Sequence, residues 1–394
     1  MTEKSRSTSL IHHDYVPPAD FASPVVGVHK ASTVFFPNTA ALRTHSWLDK
    51  SAYTYGLHGT PTTFTLEARI ASLEGGQQAL LAPSGLAAIS LVDMALLAQD
   101  DELLLPDNAY GPGKTLARHE LRSWGITHRV YDAMDPASLA ALLSPKVKLV
   151  WLEAAGSVTM EFPDLRALIK AIREHAPRAV IALDNTWGAG IAFDAFALGV
   201  DLTVHALTKY PSGGGDVLMG SVVTADERLY KRLALAHSRL GLGVGLNDVE
   251  AVLRSLPSLP LRYAAQDAAG RELARWCEQR PEFVRVLHPA LPGAPGHEAW
   301  ADTCSAAAGL FAVELDARYT PAQADAVVDA LKFFRIGWSW GGPISLAVPY
   351  DAASLRERPT PYRGTLIRFS LGLEAVEDLI ADLEQALAVL DERA

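Results

Sequence analysis

The 394-residue chain carries 35 basic and 45 acidic side chains, a net charge of −10, with 49% hydrophobic residues and a mean hydropathy of +0.10. That balance excludes a disordered chain, and 29 Gly with 24 Pro exclude collagen-like or low-complexity architecture. Without a basic stripe there is no electrostatic footprint for nucleic acid or an anionic membrane. No apolar run is long enough for a bilayer span or a signal peptide, so a cytoplasmic protein is expected. Cys277 and Cys304 cannot supply a disulfide framework or a zinc site.

Residues 1–55 read as a polar, irregular arm broken by Pro17, Pro18, Pro24 and Pro37. Ordering so long an arm alone is costly, so packing against the rest of the protein or a neighbouring subunit is expected. Regular patterning then predicts a helix over 64–73, a strand over 78–82 and a helix over 84–98 with Ser84 as its N-cap. A strand at 103–105, a helix over 114–124, a strand over 127–131 and a helix over 135–142 follow. Next come a strand at 147–152, a helix at 163–175, a strand at 179–183, and further strands at 201–205 and 217–224. From about 228 to 280 the pattern is helical. A mixed segment then leads to a strand at 365–369 and an amphipathic helix over 373–390. Apolar strands alternating with helices predict an α/β fold, a mostly parallel sheet covered on both sides. The expected organisation is a large α/β unit over 56–250 and a smaller α+β unit over 251–394.

Open α/β sheets bind ligands beyond the carboxyl ends of their strands. Polar residues directly after apolar runs occur at Pro83-Ser84-Gly85, Asp107-Asn108-Ala109-Tyr110, Asp184-Asn185 and His205 to Lys209. Ser84-Gly85-Leu86 opens a helix after a strand, which suits an anion but equally an ordinary turn. Asp184 ends an apolar run, either to hold a positive group or to cap a turn. Lys209 is flanked by apolar and aromatic residues and precedes Ser212-Gly213-Gly214-Gly215; a desolvated lysine there is a nucleophile and base, a solvated one a surface charge. Arg368, inside an apolar strand, is either a snorkelling edge residue or a fork for a carboxylate. An Asp and a Lys at neighbouring strand ends together fit a pyridoxal phosphate site.

Four segments carry a family resemblance: Tyr55-Gly56 with Gly59-Thr60-Pro61-Thr62, Asp184-Asn185-Thr186-Trp187, His205-Ala206-Leu207-Thr208-Lys209-Tyr210, and Gly215-Asp216-Val217-Leu218-Met219-Gly220. They resemble the Cys/Met metabolism family of pyridoxal phosphate enzymes, over a stretch from about residue 53 to the last helix. The resemblance implies fold type I, the aspartate aminotransferase-like architecture, and a homotetramer of two tight dimers with active sites shared between subunits. Ser339-Trp340-Gly341-Gly342 with Ser345-Leu346, and the segment from Gly364 to Leu383, are most similar to the β-eliminating, cystathionine-cleaving branch. It further implies that Lys209 carries the cofactor and serves as base, that Asp184 pairs with its ring nitrogen, and that Tyr110 stacks on the ring. The backbone of Gly85 and Leu86, with Thr208, would bind the phosphate, and Tyr55 would enter from the neighbouring subunit. Ser339, Trp340 and Arg368 would receive the substrate carboxylate, and Tyr55, Tyr110 or Lys209 would carry protons. The implied reaction is β-elimination of L-cystathionine to homocysteine, pyruvate and ammonia, a step of methionine biosynthesis. The alternatives are a γ-acting relative and a pyridoxal phosphate-binding regulatory protein without turnover. Three positions depart from the pattern. Leu57 replaces an arginine, with His58 the expected partial substitute, Ala206 replaces a common serine, and Pro343-Ile344 replaces an aromatic-Glu pair.

Overall fold

Short runs, most of them apolar and buried on both faces, become the strands of a seven-stranded sheet. They are β1 (Gln78–Ala82), β2 (Glu102–Pro106), β3 (Thr127–Tyr131), β4 (Val147–Glu153), β5 (Val180–Asp184), β6 (Leu202–His205) and β7 (Gly220–Thr224). The structure, a computed structural model, describes residues 5–13, 15, 19–21, 23–48 and 50–390, so the expected breakers Pro17 and Pro18 lie outside the described residues. The strand order is β1-β7-β6-β5-β4-β2-β3, with β7 antiparallel to both its neighbours and the pairs from β6 to β3 parallel. The carboxyl ends of β1, β2, β4, β5 and β6 therefore share one edge.

Alternate residues of each strand feed two separate cores. Leu81, Leu104, Val150, Ile181 and Leu183 pack with the helices Pro61–Glu74 and Leu165–His175. Leu80, Leu103, Leu105, Leu149 and Val204 pack on the other face with Gly85–Leu96 and Glu227–Leu240. Burial on both faces is what a parallel sheet requires, and it accounts for the continuous apolar runs.

The helix expected from residue 64 begins at Pro61, because Thr60 and Thr63 form a reciprocal capping box around a proline at the first turn. The arm contains two short helices that the sequence did not suggest, Arg6–Ile11 and Thr39–Thr44, each opened by a side-chain cap from Ser5 or Asn38. Leu10 and Val26 of the arm are buried in the same core as Leu66 and Ile70.

The helix Leu259–Cys277 leads to a second sheet of five strands, β8 (Phe283–Leu287), β9 (Leu310–Leu315), β10 (Arg335–Ile336), β11 (Leu346–Tyr350) and β12 (Leu366–Ser370). Its order is β10-β11-β12-β9-β8, antiparallel except for β10 beside β11. The helices Leu259–Cys277, Pro321–Ala330 and Val376–Leu387 cover it, Leu273, Val327 and Leu383 packing in one core with Phe369 of β12. Only β12 was expected in this region. No helix of the described residues is long and apolar enough to cross a membrane.

Candidate active site

A cavity of about 650 Å³ opens at the shared strand edge of the first sheet and is closed on its far side by the second sheet. It collects Gly85, Leu86, Tyr110, Asp184, Thr208, Lys209, Ser339, Trp340 and Arg368. Tyr55 is not among them. It lies 48% exposed beside a smaller cavity with Trp47, Lys50 and His58.

Each side chain is placed by the end of an element. Asp184 closes β5, and its Oδ1 accepts from the amide of Thr186 at 3.0 Å and the Thr186 hydroxyl at 2.6 Å. The same hydroxyl oxygen accepts from the Ala206 amide at 3.0 Å, tying the β5 loop to the β6 loop. Lys209 follows β6, and its Nζ donates to Ser339 Oγ at 2.7 Å and stands 5.5 Å from the centre of the Trp340 ring. Burial, reinforced by the Arg368 cation, lowers the Lys209 amine to about 8, while Asp184 opposes the shift. Tyr110 keeps its proton, since burial and then the charge of Asp184 raise it.

Helix Gly85–Leu96 begins at the cavity. Ser84 Oγ accepts from the Ala87 amide, which leaves the earlier amides of Gly85 and Leu86 without intrahelical partners. A Cβ at Gly85 would lie 2.7 Å from the Cβ of Ala206, so glycine is what lets the β6 loop approach the helix start. Thr208 lines the cavity with its hydroxyl already engaged: it donates to the Met219 carbonyl at 3.2 Å and accepts from the Met219 amide at 3.0 Å.

Arg368 enters from the middle of β12. It is 7% exposed, its Nε is buried without a hydrogen-bond partner, and the Tyr350 ring lies 5.3 Å from its guanidinium carbon. A buried cation in that state is suited to a carboxylate brought by a ligand. Ser339 adopts φ 113°, rare for a residue with a side chain, and Gly341 at φ 79° passes close to the backbone of Lys209 and Tyr210.

One expectation about the phosphate end is modified. His58 has both ring nitrogens engaged within the chain, with Thr54 Oγ1 at 3.0 Å and Ser238 Oγ at 3.2 Å, and it stacks on Trp47. Burial, then His237, lowers its pKa, so the site it occupies favours neither a free donor nor a positive charge in place of the missing arginine. All four loops expected to converge reach the cavity, the one at Asp107 through Tyr110 alone. Asp107 itself accepts from the amides of Glu357 and Arg358.

Two titratable cavity residues escaped the sequence reading. Tyr350 on β11 looks like an ordinary core aromatic. Glu153 closes β4 directly after an apolar run, so the rule that picked out Asp184 would also have found it.

A lysine amine and a buried carboxylate facing one cavity, at the carboxyl edge of a mostly parallel sheet with a smaller second sheet above, define a pyridoxal phosphate-dependent enzyme of fold type I. The residues fit the group: paired donors from Thr186 fix an Asp184 carboxylate that would suit a protonated ring nitrogen, free amides at a helix start suit a phosphate, and Lys209 is an amine of lowered basicity. The profile of the Cys/Met metabolism PLP-dependent enzyme family matches residues 7–388, and the chain belongs to that family. It is 39% identical over 363 residues to a cystathionine beta-lyase of Bordetella avium, covering 91% of this chain and 90% of that one. A putative cystathionine beta-lyase of Rhizobium johnstonii is 38% identical over 371 residues, covering 93% and 91%. Among solved structures, the cystathionine gamma synthase of Xanthomonas oryzae pv. oryzae superposes with a TM-score of 0.91 at 27% identity, covering 100% of both chains. The cofactor is pyridoxal 5'-phosphate, and the family fits a small-molecule amino-acid substrate.

Proposed function

We propose that this enzyme is a carbon–sulfur lyase that cleaves L-cystathionine by β-elimination to homocysteine, pyruvate and ammonia. The observation that carries the reading is the enclosure in one cavity of Lys209, Asp184 and Arg368, whose buried Nε has no hydrogen-bond partner among the described residues. The relatives named cystathionine beta-lyase support it. Bound pyridoxal phosphate supplies the electron sink that makes the Cα proton of an amino acid removable.

The chain's own groups do the rest. Arg368, with Ser339 and Trp340, receives the substrate carboxylate and fixes the Cα–H bond toward Lys209. Asp184 keeps the ring nitrogen protonated, Tyr110 stacks on the ring, and the amides of Gly85 and Leu86 with Thr208 hold the phosphate. Tyr55 reaches in from a neighbouring subunit. The neutral Lys209 amine takes the Cα proton. The Cβ–S bond then breaks with its electron pair on sulfur, and a proton from Lys209, Tyr110 or Tyr55 completes the thiol. The three-carbon remainder hydrolyses to pyruvate and ammonia.

The structural likeness to a cystathionine gamma synthase supports a second reading, chemistry at Cγ. Product analysis separates the two. Holoenzyme given L-cystathionine is expected to release pyruvate in step with homocysteine, and Lys209→Ala to release neither. Formation of 2-oxobutyrate and cysteine instead would transfer the assignment to the γ-acting reading.

A further inference from the structure

Glu153 has no part in the scheme above, yet it occupies the floor of the same cavity. It is the last residue of β4 and pairs in register with Asp184, the last residue of the adjacent parallel strand β5. Neighbouring strands run about 4.8 Å apart, so two carboxyl groups stand side by side in an enclosed space. Glu153 Oε2 accepts from the Tyr110 amide at 2.8 Å, which fixes the turn that presents the Tyr110 ring to the cavity.

Neither carboxyl group has an ion-pair partner among the described residues. The nearby cation Lys114 is committed to the carbonyls of Asp107 and Leu355. Two like charges buried side by side do not both persist; Lys209 and His205 favour the charge on Asp184, Glu74 opposes it, and one group of the pair keeps its proton. The donors decide which. Asp184 receives both an N–H and an O–H from Thr186, and each stabilises its charged form. Glu153 receives backbone amides alone.

We infer that Glu153 is a positioning residue that works as a neutral carboxylic acid: it anchors Tyr110 over the cofactor ring and leaves Asp184 as the negative charge facing the ring nitrogen. Burial and the proximity of Asp184 push the Glu153 carboxyl well above the usual carboxylate range, in keeping with this division. Glutamine reproduces the neutral acid in shape and in its ability to accept from the Tyr110 amide. Alanine does not.

The inference rests on the fold type I pyridoxal phosphate site but not on which bond is cleaved, and its test needs no turnover. Apoprotein of wild type, Glu153→Gln and Glu153→Ala is reconstituted with pyridoxal 5'-phosphate, and cofactor affinity and absorbance are read from pH 6 to 10. Glu153→Gln is expected to keep wild-type affinity within about threefold and the same spectral midpoint, while Glu153→Ala loses about tenfold or more in affinity, the order of one lost buried hydrogen bond. Difference infrared spectra, wild type minus Glu153→Gln, are expected to contain a protonated carboxyl stretch. A glutamine variant that folds yet binds as poorly as the alanine one would overturn the inference, as would a carboxylate band in place of the acid. An alanine variant indistinguishable from wild type would also overturn it. If the glutamine variant behaves as expected but cystathionine yields no pyruvate, the inference stands and the lyase reading alone fails.

Discussion

Lys209 and Arg368 are the two cations of the cavity, and Arg368 weakens the hold of Lys209 on its proton. The Lys209 amine sits at about 8 because burial disfavours its charge and Arg368 repels it. Only the neutral amine attacks a carbonyl, so the rate at which apoprotein captures pyridoxal 5'-phosphate is expected to rise with pH and level off above about 8. In Arg368→Ala the repulsion is gone, the amine holds its proton to higher pH, and that midpoint moves upward; stopped-flow absorbance across pH would register it. Gly85 makes a second single-residue test. A methyl at Gly85 meets Ala206 Cβ at 2.7 Å, so Gly85→Ala must push the helix start away from the β6 loop. The expected result is a loss of about 1–3 kcal/mol in stability, read by denaturant titration, together with weakened cofactor binding in equilibrium dialysis. These residues were legible in sequence for one reason: Asp184 and Lys209 are polar groups directly following apolar strands. Glu153 obeys the same rule and was overlooked. Tyr350 obeys none, because an aromatic in a strand reads as core until its ring is seen over Arg368.

At the level of elements, capping decides where helices begin and pairing decides where strands exist. Thr60 and Thr63 cap the helix Pro61–Glu74, and Thr60→Ala is expected to lower stability by about 1 kcal/mol and speed amide exchange in its first turn. The apolar run of β1 kept its expected limits because Ala79 to Ala82 are buried, and the polar edge strand β3 kept its limits through its parallel pairing with β2. The second sheet was harder to read. β9 is six consecutive buried residues, a pattern shared with buried helices, and it contains Glu314, whose carboxylate accepts from the amides of Arg363 and Gly364. β11 contains Pro349, which argues against a central strand. The structure resolves the conflict: β10 pairs only with Leu346 and Ala347, so Pro349 faces no neighbour on that side.

For the whole molecule, the alternation of strands and helices made the α/β architecture readable, whereas the path of the arm was not, because its contacts are set by distant surfaces. Within the chain, Leu10 and Val26 anchor the arm to the main core, yet Phe35 is 93% exposed and Tyr55 lies outside the cavity that holds Lys209. The role proposed for Tyr55 requires that it serve another subunit's cavity. Hybrid oligomers decide the matter. Lys209→Ala lacks the base but keeps Tyr55, and Tyr55→Ala has the reverse defect; each is expected to be nearly inactive alone. If each cavity draws Tyr55 from its neighbour, co-refolding equal amounts makes half the dimers hybrid, each with one intact site. About one quarter of wild-type pyruvate release should then return. Activity that stays at the sum of the two parents would mean that Tyr55 acts within its own chain or not at all.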